Sequence, residues 1–402
     1  MAFDPETYVY LDWAATAPLC EEAAAAMEPY LRSGRANLAL GGNANSLHGP
    51  GRAAFAALED ARRSLARDLG ASRPDEIVFT SGATEADDMA VLGIAQAAAA
   101  ERRRAGAGST FQPHVITSAV EHDAVLAPAK RLEAWGFRVT RLRPNRQGFV
   151  EVRALEEALD GDTVLVSVQA ANSEVGSIQP VAELARVAHA AGALFHTDAV
   201  QALGKVPLNV VELGVDAASF SAHKVGGPKG VGALYLKART PFEPQALGGG
   251  QESGRRSGTQ NVCGAVGFAA ACHAACVAQE AEAARQRALR DRLYAGLSAV
   301  EGLEATVDVE PGSEDFLPNI VHVLADGLES ETLVLRFDMK GFGVAGGSAC
   351  ASHSLEPSHV LRALGVDADR AQGALRLSMG RGTTEADIDA FLAAVPSVLS
   401  WG

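Results

Sequence analysis

A regular alternation of short apolar strands and helical stretches runs from residue 50 to residue 265, and it restricts the fold more than any other feature of this sequence. The apolar segments are rich in Val, Ile and Leu, as in "PDEIVFTSG" and "DTVLVSVQAANSEVG". Between them lie stretches with helical spacing such as "VAELARVAHAAG", in which Gly192 occupies the position of a helix C-cap. Strands of this kind, separated by helices, predict an α/β fold with a mainly parallel sheet that helices cover on both faces.

Several of these strands end in polar residues, which marks the edge of the sheet where a ligand is expected. In open parallel sheets, ligands lie beyond the carboxyl ends of the strands. One polar strand end is common, but a series of them indicates a single site formed by many strands. The polar residues at the strand ends are Thr80, Ser81, Glu121, His122, Asn172, Asp198, Ser221 and His223.

The pattern changes after about residue 265, and the length of 402 residues exceeds that of one ordinary core. A long helical stretch is followed by the strand-like segments "LPNIVHVLA" and "GALRLSMG" and by a last helix from "TTEADIDAFLAAV". We therefore predict a large domain over residues 20–262 and a smaller α+β domain formed by residues 1–19 and 263–402. The smaller domain carries a loop, at about residues 342–358, in which Cys350 stands among Gly, Ser and Ala.

Composition and charge limit the class of partner. The net charge is −14, so neither nucleic acid nor an anionic membrane is expected as a direct partner. The N-terminal stretch "MAFDPETYVYLDW" is not typical of a secretory signal, and no apolar run reaches the roughly 18 residues of a spanning helix. These features together predict a cytoplasmic enzyme that acts on a small substrate.

The cysteines do not indicate a disulfide framework, because there are five of them in a long chain. Cys272, His273 and Cys276 lie in an Ala-rich helical pattern without a second ligand pair, so we expect helix residues and no metal site there. A single free cysteine such as Cys350 is usually a small apolar residue. Whether Cys350 has a catalytic role instead depends on the chemistry predicted at the strand ends.

Lys224 follows a strand and precedes the Gly-rich turn "VGGPKG", which restricts the loop around it. A buried lysine near other cations loses its proton easily and can form a Schiff base. Asp198, at the end of an earlier strand, can pair with a protonated pyridine nitrogen. A lysine and a carboxylate in these two roles are what pyridoxal phosphate requires to act as an electron sink.

Two further strand ends fit the same cofactor. In "TSGATEADD" a turn of small residues joins a strand to a helix, so backbone N–H groups and the positive helix end face an anion there, and Thr84 adds a hydroxyl. This turn is not a Walker loop, and "GGGQESG" is not a dinucleotide fingerprint because Ser253 stands where a third Gly is required. His122 has a flat ring that can stack on a cofactor and an imidazole that can move a proton.

The whole chain resembles the cysteine desulfurases of the nitrogen-fixation and general iron–sulfur-assembly type, which belong to the class V aminotransferase-like, fold-type-I pyridoxal phosphate enzymes. The resemblance rests on ordered blocks that run nearly from end to end. They include "YLDWAATAP", "NSLHGPGRAA", "EIVFTSGATEADD", "EHDAVL", "ANSEVGSIQP", "FHTDAVQALGKVP", "SFSAHKVGGPKG", "GGGQESGRRSGTQN", "GGSACASHSLEPSHVLRALG" and "RLSMGRGTTEADID". The resemblance implies a large domain with a mainly parallel, seven-stranded sheet and a smaller C-terminal α+β domain.

The resemblance also implies a role for each matching residue. Lys224 would carry pyridoxal 5′-phosphate, Asp198 would hold the pyridine nitrogen and Gln201 the ring hydroxyl. His122 would stack on the ring, and Cys350 would be the nucleophile that accepts sulfur. The residues implied for phosphate are Ala83, Thr84, Ser221 and His223, with Thr259 from the other subunit of a homodimer, and those implied for the substrate carboxylate are Asn172 and Arg376.

The implied reaction converts L-cysteine to L-alanine and leaves the sulfur on Cys350 as a persulfide, with Lys224 and His122 as the other catalytic residues. The expected partner is a sulfur acceptor such as an iron–sulfur scaffold, on which the Cys350 persulfide would at most be a transient cluster ligand, and the chain needs no metal of its own. A selenocysteine lyase or a class V aminotransferase on the same scaffold is the alternative, as is a subunit that only docks iron–sulfur partners. Departures from the family pattern are Trp13, Ala86, Asp88, Ser173 and Gly226.

Overall fold

The computed structural model describes residues 4–38, 40–347 and 358–400. Its strands are β1 Val9–Tyr10, β2 Ile77–Thr80, β3 His114–Ser118, β4 Arg138–Leu142, β5 Thr163–Ser167, β6 Leu194–Asp198, β7 Ala217–Ser221, β8 Gly232–Leu236, β9 Leu303–Ala305, β10 Ile320–Ala325, β11 Phe342–Gly343 and β12 Ala374–Ser378. Its α-helices are α1 Glu21–Met27, α2 Gly49–Asp68, α3 Ala83–Arg104, α4 Asp123–Ala134, α5 Val152–Ala158, α6 Val181–Ala190, α7 Val262–Ser298, α8 Ser330–Met339, α9 His359–Ala363, α10 Ala368–Ala371 and α11 Glu385–Leu399.

A seven-stranded sheet, in the order β2-β8-β7-β6-β5-β3-β4, forms the centre of the molecule. The pairs from β7 to β4 are all parallel, whereas β8 runs antiparallel to both β7 and β2. This arrangement confirms the predicted α/β fold with a mainly parallel sheet. Strand β2 is an edge strand, and its carboxyl end leads directly into helix α3.

Helices cover both faces of this sheet, as predicted, because successive residues of each buried strand point to opposite sides. Val115 and Leu165 pack with helix α3 on one face. Ile116 and Val166, their neighbours in the chain, pack on the other face with residues of α2, α6 and the first part of α7. Helix α3 is apolar around most of its circumference, so its burial follows from its composition.

A second apolar cluster lies in the C-terminal part of the chain. An antiparallel sheet in the order β12-β10-β9 packs there with α8, α11 and the last part of α7. Strand β1 pairs with β11, so the N-terminal segment belongs to this part before it reaches the large sheet. Helix α7 contributes to both clusters, and the predicted division into residues 20–262 and residues 1–19 with 263–402 stays a prediction.

Helix α7 is also the one described helix that is long and apolar enough, by length and composition, to cross a membrane. Its most apolar window is 50% buried inside the protein, where Phe268 and Cys272 belong to the core of the large sheet. The core helix of a folded domain meets the same criteria of length and composition. Cys272, His273 and Cys276 lie within this helix, as predicted.

Candidate active site

A cavity of about 470 Å³ opens at the carboxyl ends of the central strands. The segments that line it come from the N-terminal stretch, the turn after β2, the start of α4, the turns after β5 to β7 and strand β12. The sequence-predicted residues among its lining are Ala83, Thr84, His122, Asp198, Gln201, Ser221, His223, Lys224 and Arg376. Of the polar strand-end residues that the sequence indicated, Ser81, His122, Asp198, Ser221 and His223 line this one cavity, whereas Thr80, Glu121 and Asn172 do not.

Lys224 ends a short 3₁₀ turn that follows β7. Its Nζ donates hydrogen bonds to the carbonyl oxygens of Ala14, at 2.6 Å, and Ala15, at 2.8 Å. Gly227, in the turn that follows, is required by packing, because a Cβ there would lie 2.8 Å from the Cβ of Ala222. The amine is thus placed inside the cavity by two backbone acceptors from the N-terminal stretch.

His223 precedes this lysine, and its Nδ1 lies 3.1 Å from the hydroxyl of Thr16. Burial, followed by the charge of Lys224, lowers the pKa of His223 to about 4. The ring is therefore neutral near neutral pH, and it offers hydrogen bonds without a fixed positive charge.

Asp198 ends β6 and is buried. Its Oδ1 accepts a hydrogen bond from the backbone N–H of Val200 at 3.0 Å. Burial raises the pKa of Asp198, whereas the Val200 N–H, His122 and Lys224 favour the charged form. A carboxylate held in this way is suited to pair with a cation placed in the cavity.

Gln201 lines the cavity one turn beyond Asp198, and its Nε2 donates to the Ala14 carbonyl at 3.1 Å. Its Oε1 is buried without a hydrogen-bond partner. An unpaired buried acceptor is unfavourable, so this oxygen fits a donor on a molecule bound in the cavity.

The turn between β2 and α3 offers the site for an anion. Gly82 is the N-cap of α3 and has no side chain to cap the helix. The backbone N–H groups of the first turn are therefore available to an anion in the cavity, which Ala83 and Thr84 line. The Thr80 hydroxyl donates to the Gly82 carbonyl at 2.8 Å and holds the turn. Ser221 and His223 line the same cavity from the other side of β8.

His122 is the N-cap of α4, and its Nδ1 accepts the backbone N–H of Ala124 at 3.1 Å. Because Nδ1 accepts, the neutral ring carries its proton on Nε2. The ring lines the cavity and can exchange that proton with a bound molecule.

Arg376 lies in β12 and its side chain is 2% exposed. One terminal nitrogen donates to the Ser173 carbonyl at 3.0 Å, the other pairs with Asp12 at 2.8 Å, and Nε is buried without a partner. A guanidinium with unused donor capacity is suited to a carboxylate. Asn172 lies beside it, but its oxygen accepts the N–H groups of Glu174 and Val175 and it does not line the cavity.

Besides Asn172, two predicted residues are not among those described at this cavity. Thr259 is exposed and does not line it within one chain. Cys350 lies outside the described residues.

Sequence reasoning assigned no role to two buried carboxyl groups in or next to the site. Asp87 lines the cavity from the second turn of α3, and its Oδ1 has no hydrogen-bond partner; burial and the charge of Asp198 raise its pKa well above the usual range. Burial likewise raises the pKa of Glu121, next to His122, to about 8. The sequence indicated Glu121 as a polar residue at a strand end. It did not indicate Asp87, because only packing decides which face of α3 is buried.

Comparisons with known proteins agree with this geometry. A family model described as aminotransferase class-V matches residues 9–391. The chain is 43% identical over 381 residues to the cysteine desulfurase IscS of Dictyoglomus turgidum, which covers 95% of this chain and 92% of that protein. The IscS of Klebsiella pneumoniae is 42% identical over 383 residues, with 95% and 90% covered.

Solved structures give the same result. A NifS-like protein superposes with a TM-score of 0.86 at 38% identity and covers 98% of this chain and 100% of that chain. The structure of SspA in complex with cysteine superposes with a TM-score of 0.76 at 31% identity, with 92% and 98% covered.

The family implies pyridoxal phosphate, and the cavity residues fit it. Lys224 offers the amine, Asp198 the carboxylate, Gln201 an unpaired acceptor and the start of α3 an anion site. Matched over almost its whole length, the chain belongs to the class V aminotransferase family and, within it, to the cysteine desulfurases.

Proposed function

We propose that this enzyme uses pyridoxal phosphate to convert L-cysteine to L-alanine and passes the sulfur to Cys350 as a persulfide. The observation that carries the proposal is the convergence of Lys224, Asp198 and Arg376 on one cavity, beside the unpaired oxygen of Gln201. These groups supply the amine, the two charges and the acceptor that an amino acid and this cofactor together require.

The residues that would hold the cofactor follow from their chemistry. Asp198 would pair with the pyridine nitrogen, Gln201 would accept the ring hydroxyl, and His122 would lie against the ring. Ala83, Thr84, Ser221 and His223 would bind the phosphate. When bound, pyridoxal phosphate withdraws electrons from the substrate Cα so that a proton can leave it.

Lys224 would take the Cα proton of the substrate and return one to complete alanine. Its Nζ is held by the carbonyls of Ala14 and Ala15, so the amine stays inside the cavity once its lone pair is available. Arg376 would bind the substrate carboxylate through its unpaired Nε, with Asn172 fixing the adjacent turn. Lys224 and Arg376 line the same cavity, which supports these two roles.

The sulfur step would involve His122 and Cys350. The Cys350 thiolate attacks the substrate sulfur, an S–S bond forms as the Cβ–S bond breaks, and the electron pair of the broken bond stays on carbon, which is then protonated. His122 would handle the proton of the substrate sulfur, taking it only after the S–S bond has formed. Cys350 lies outside the described residues, and it follows Gly347, which is described, by three positions.

The position of Gly347 supports a role for Cys350 at this cavity. A Cβ on Gly347 would lie 3.6 Å from Oε2 of Glu174, which follows the cavity residue Ser173. Gly347 therefore lies next to the cavity wall.

The assembly and the destination of the sulfur belong to the same proposal. Thr259, exposed in one chain, would complete the phosphate site of the second subunit in a homodimer. The persulfide would pass to an acceptor protein such as an iron–sulfur scaffold. The acidic composition and the reduced thiol that the chemistry needs favour the cytoplasm as the compartment.

Mass spectrometry after incubation with L-cysteine tests the proposal. The expected result is one added sulfur on Cys350 together with release of alanine. Cys350→Ser should still bind pyridoxal phosphate and cysteine but should form almost no alanine. Normal turnover by that variant would remove Cys350 from the mechanism.

The alternatives give different products in the same assay. Faster turnover of selenocysteine than of cysteine would identify a selenocysteine lyase. Amino transfer that depends on an added keto acid would identify an aminotransferase.

A further inference from the structure

Residues 251–260, called the arm here, contain two residues with a strained backbone conformation. Glu252 and Ser253 are consecutive non-glycine residues with positive φ, at 50° and 57°. Residues other than glycine rarely adopt this backbone conformation, so contacts with surrounding residues must stabilise it. Thr259 lies near the end of the arm, is exposed and does not line the cavity of its own chain.

A buried ion pair supplies the main contact. The Glu252 side chain is 1% exposed and that of Arg62, in α2, is 9% exposed. The two terminal nitrogens of Arg62 donate to the two carboxylate oxygens of Glu252, at 2.6 and 2.9 Å. Burial opposes the charge of Arg62, but the bonds to Glu252 outweigh it and raise the pKa of Arg62. The pair is bidentate, which fixes orientation as well as distance.

The same pair covers the free edge of β2. Glu252 Oε2 accepts the backbone N–H of Phe79 at 2.9 Å, and Arg62 donates to the carbonyl of Ile77 at 2.5 Å. An edge strand has backbone groups without a neighbouring strand, and this pair satisfies two of them. The arm is thereby attached to the strand that leads into the phosphate turn.

A second ion pair ties the middle of the arm to that turn. Arg256 donates to both oxygens of Glu85 in α3, at 2.7 and 3.1 Å. Glu85 Oε2 also accepts the backbone N–H of Ser81 at 2.5 Å. The base of the arm is therefore fixed to the cavity of its own chain, while Thr259, three residues beyond Arg256, stays exposed.

We propose that Arg62 and Glu252 are positioning residues that act across the dimer: they hold the arm of one subunit so that Thr259 reaches the cofactor phosphate of the other. This inference rests on the shared site proposed above and deepens it. Loosening the pair in one subunit then weakens the cofactor site of its partner more than its own site, which the pair reaches only through β2.

Mixed dimers test this directly, since two differently tagged chains can be co-expressed and purified as a pair. One chain keeps Lys224 and the other carries Lys224→Ala, so borohydride fixes pyridoxal phosphate on lysine 224 of only one subunit. The fraction of pyridoxyl-Lys224, measured by mass spectrometry against pyridoxal phosphate concentration, gives the affinity of that single site.

Glu252→Gln is placed first in the Lys224→Ala chain and then, in a second pair, in the chain that keeps Lys224. In the first pair the affinity of the Lys224 site should fall by at least about tenfold, because a buried charged pair is broken in the arm that serves it. In the second pair the affinity should fall by less than in the first pair, because the ion pair reaches the site of its own chain only through β2. An equal or larger loss in the second pair, or no loss in either pair, would overturn the proposal.

A second variant tests whether a loss of cofactor affinity comes from a destabilised fold or from a displaced arm. Arg62→Met combined with Glu252→Met replaces the pair by apolar side chains, which usually preserves stability but removes the bonds to β2. The affinity should fall in trans while the thermal unfolding midpoint stays near that of the unmutated protein. Asp389→Asn, which breaks the exposed bidentate pair with Arg292, is the matched control and should change neither quantity.

Thr259→Ala in the same mixed dimers separates this inference from the proposal on which it rests. If Thr259→Ala lowers affinity in trans and Glu252→Gln does not, the shared site stands and the positioning role is wrong. If neither lowers it, the shared site itself is wrong, and the positioning role falls with it.

Discussion

The unpaired Oε1 of Gln201 distinguishes a ligand site from a core in which every buried polar atom has a hydrogen-bond partner. Its amide nitrogen already bonds to the Ala14 carbonyl, which also accepts from Lys224. The oxygen therefore carries an uncompensated desolvation cost until a donor enters the cavity. Such a group lowers the stability of the empty protein and increases its affinity for the ligand.

Gln201→Leu separates these two effects. Without cofactor, the variant should be as stable as the unmutated protein or more stable by about 1 kcal/mol, because the unpaired oxygen is gone. Its affinity for pyridoxal phosphate should fall by about tenfold, the effect of one lost hydrogen bond in a buried site. Thermal unfolding of the apoprotein and a cofactor titration measure the two quantities.

Gln147→Leu is the control, because Gln147 bonds to Asp308 and does not line the cavity. It should leave cofactor affinity unchanged. Unchanged affinity in Gln201→Leu as well would show that Gln201 does not contact the cofactor.

At the scale of elements, the strand ends were predictable and the groups behind them were not. Strand periodicity placed Asp198, His122 and Lys224 at one edge of a sheet, and the structure brings them into one cavity. Asp87 follows from the sequence only if the buried face of α3 is known. Glu252 sits in a Gly-rich stretch without periodicity, so its pairing with Arg62, distant in the chain, depends on tertiary packing alone.

The antiparallel strand β8 was another feature that alternation could not predict. The sequence indicated a mainly parallel sheet, and β8 is inserted between β2 and β7 in the opposite direction. Its first residue, Gly232, pairs with both Thr80 and Ser221, so β8 separates two segments of the predicted phosphate site. Backbone contact at Gly232 therefore sets the spacing of that site.

Gly232→Ala tests this element. An added Cβ would lie 2.6 Å from the Phe220 carbonyl oxygen and 2.7 Å from the carbonyl carbon of Gly82, so backbone must move. We expect a destabilisation of about 1–3 kcal/mol from overpacking and at least about tenfold weaker cofactor binding. Chemical denaturation and a pyridoxal phosphate titration measure both.

Gly161→Ala is the matched control, since an added Cβ there meets no neighbour within 4 Å. It should change neither stability by more than about 0.5 kcal/mol nor cofactor affinity. Tight cofactor binding by Gly232→Ala would show that the phosphate turn tolerates displacement of its backbone.

At the scale of the whole molecule, buried carboxyl groups gather on the cavity side of the large sheet. Asp87, Glu121, Asp198 and Glu174 are all buried, and burial raises the pKa of each. Beyond burial, the charge of Asp198 raises the pKa of both Asp87 and Glu121, because like charges in a low-dielectric interior disfavour simultaneous ionisation. The folded protein therefore retains protons that the unfolded chain releases, and its stability must depend on pH above the ordinary range of carboxyl titration.

Glu121 gives the clearest case, because its pKa is raised from 4.5 to about 8. Burial is the main cause, opposed by the bonds that Glu121 accepts from Ser118 and from the Gln169 backbone. Between these two values the folded state binds a proton that the unfolded state does not. The associated stability is fully present below pH 4.5 and is lost as the pH rises through about 8.

Glu121→Gln keeps the shape of the side chain and removes the titration. The free energy of unfolding of the unmutated protein should fall between about pH 5 and pH 8, and the variant should show a smaller decrease, by about 1–3 kcal/mol. Urea unfolding across this range, with the same cofactor concentration for both proteins, measures the difference. Glu183→Gln, at an exposed position in α6, should reproduce the unmutated slope. Equal slopes for Glu121→Gln and the unmutated protein would mean that Glu121 is already ionised in the folded state and that its buried charge is neutralised by a neighbouring cation.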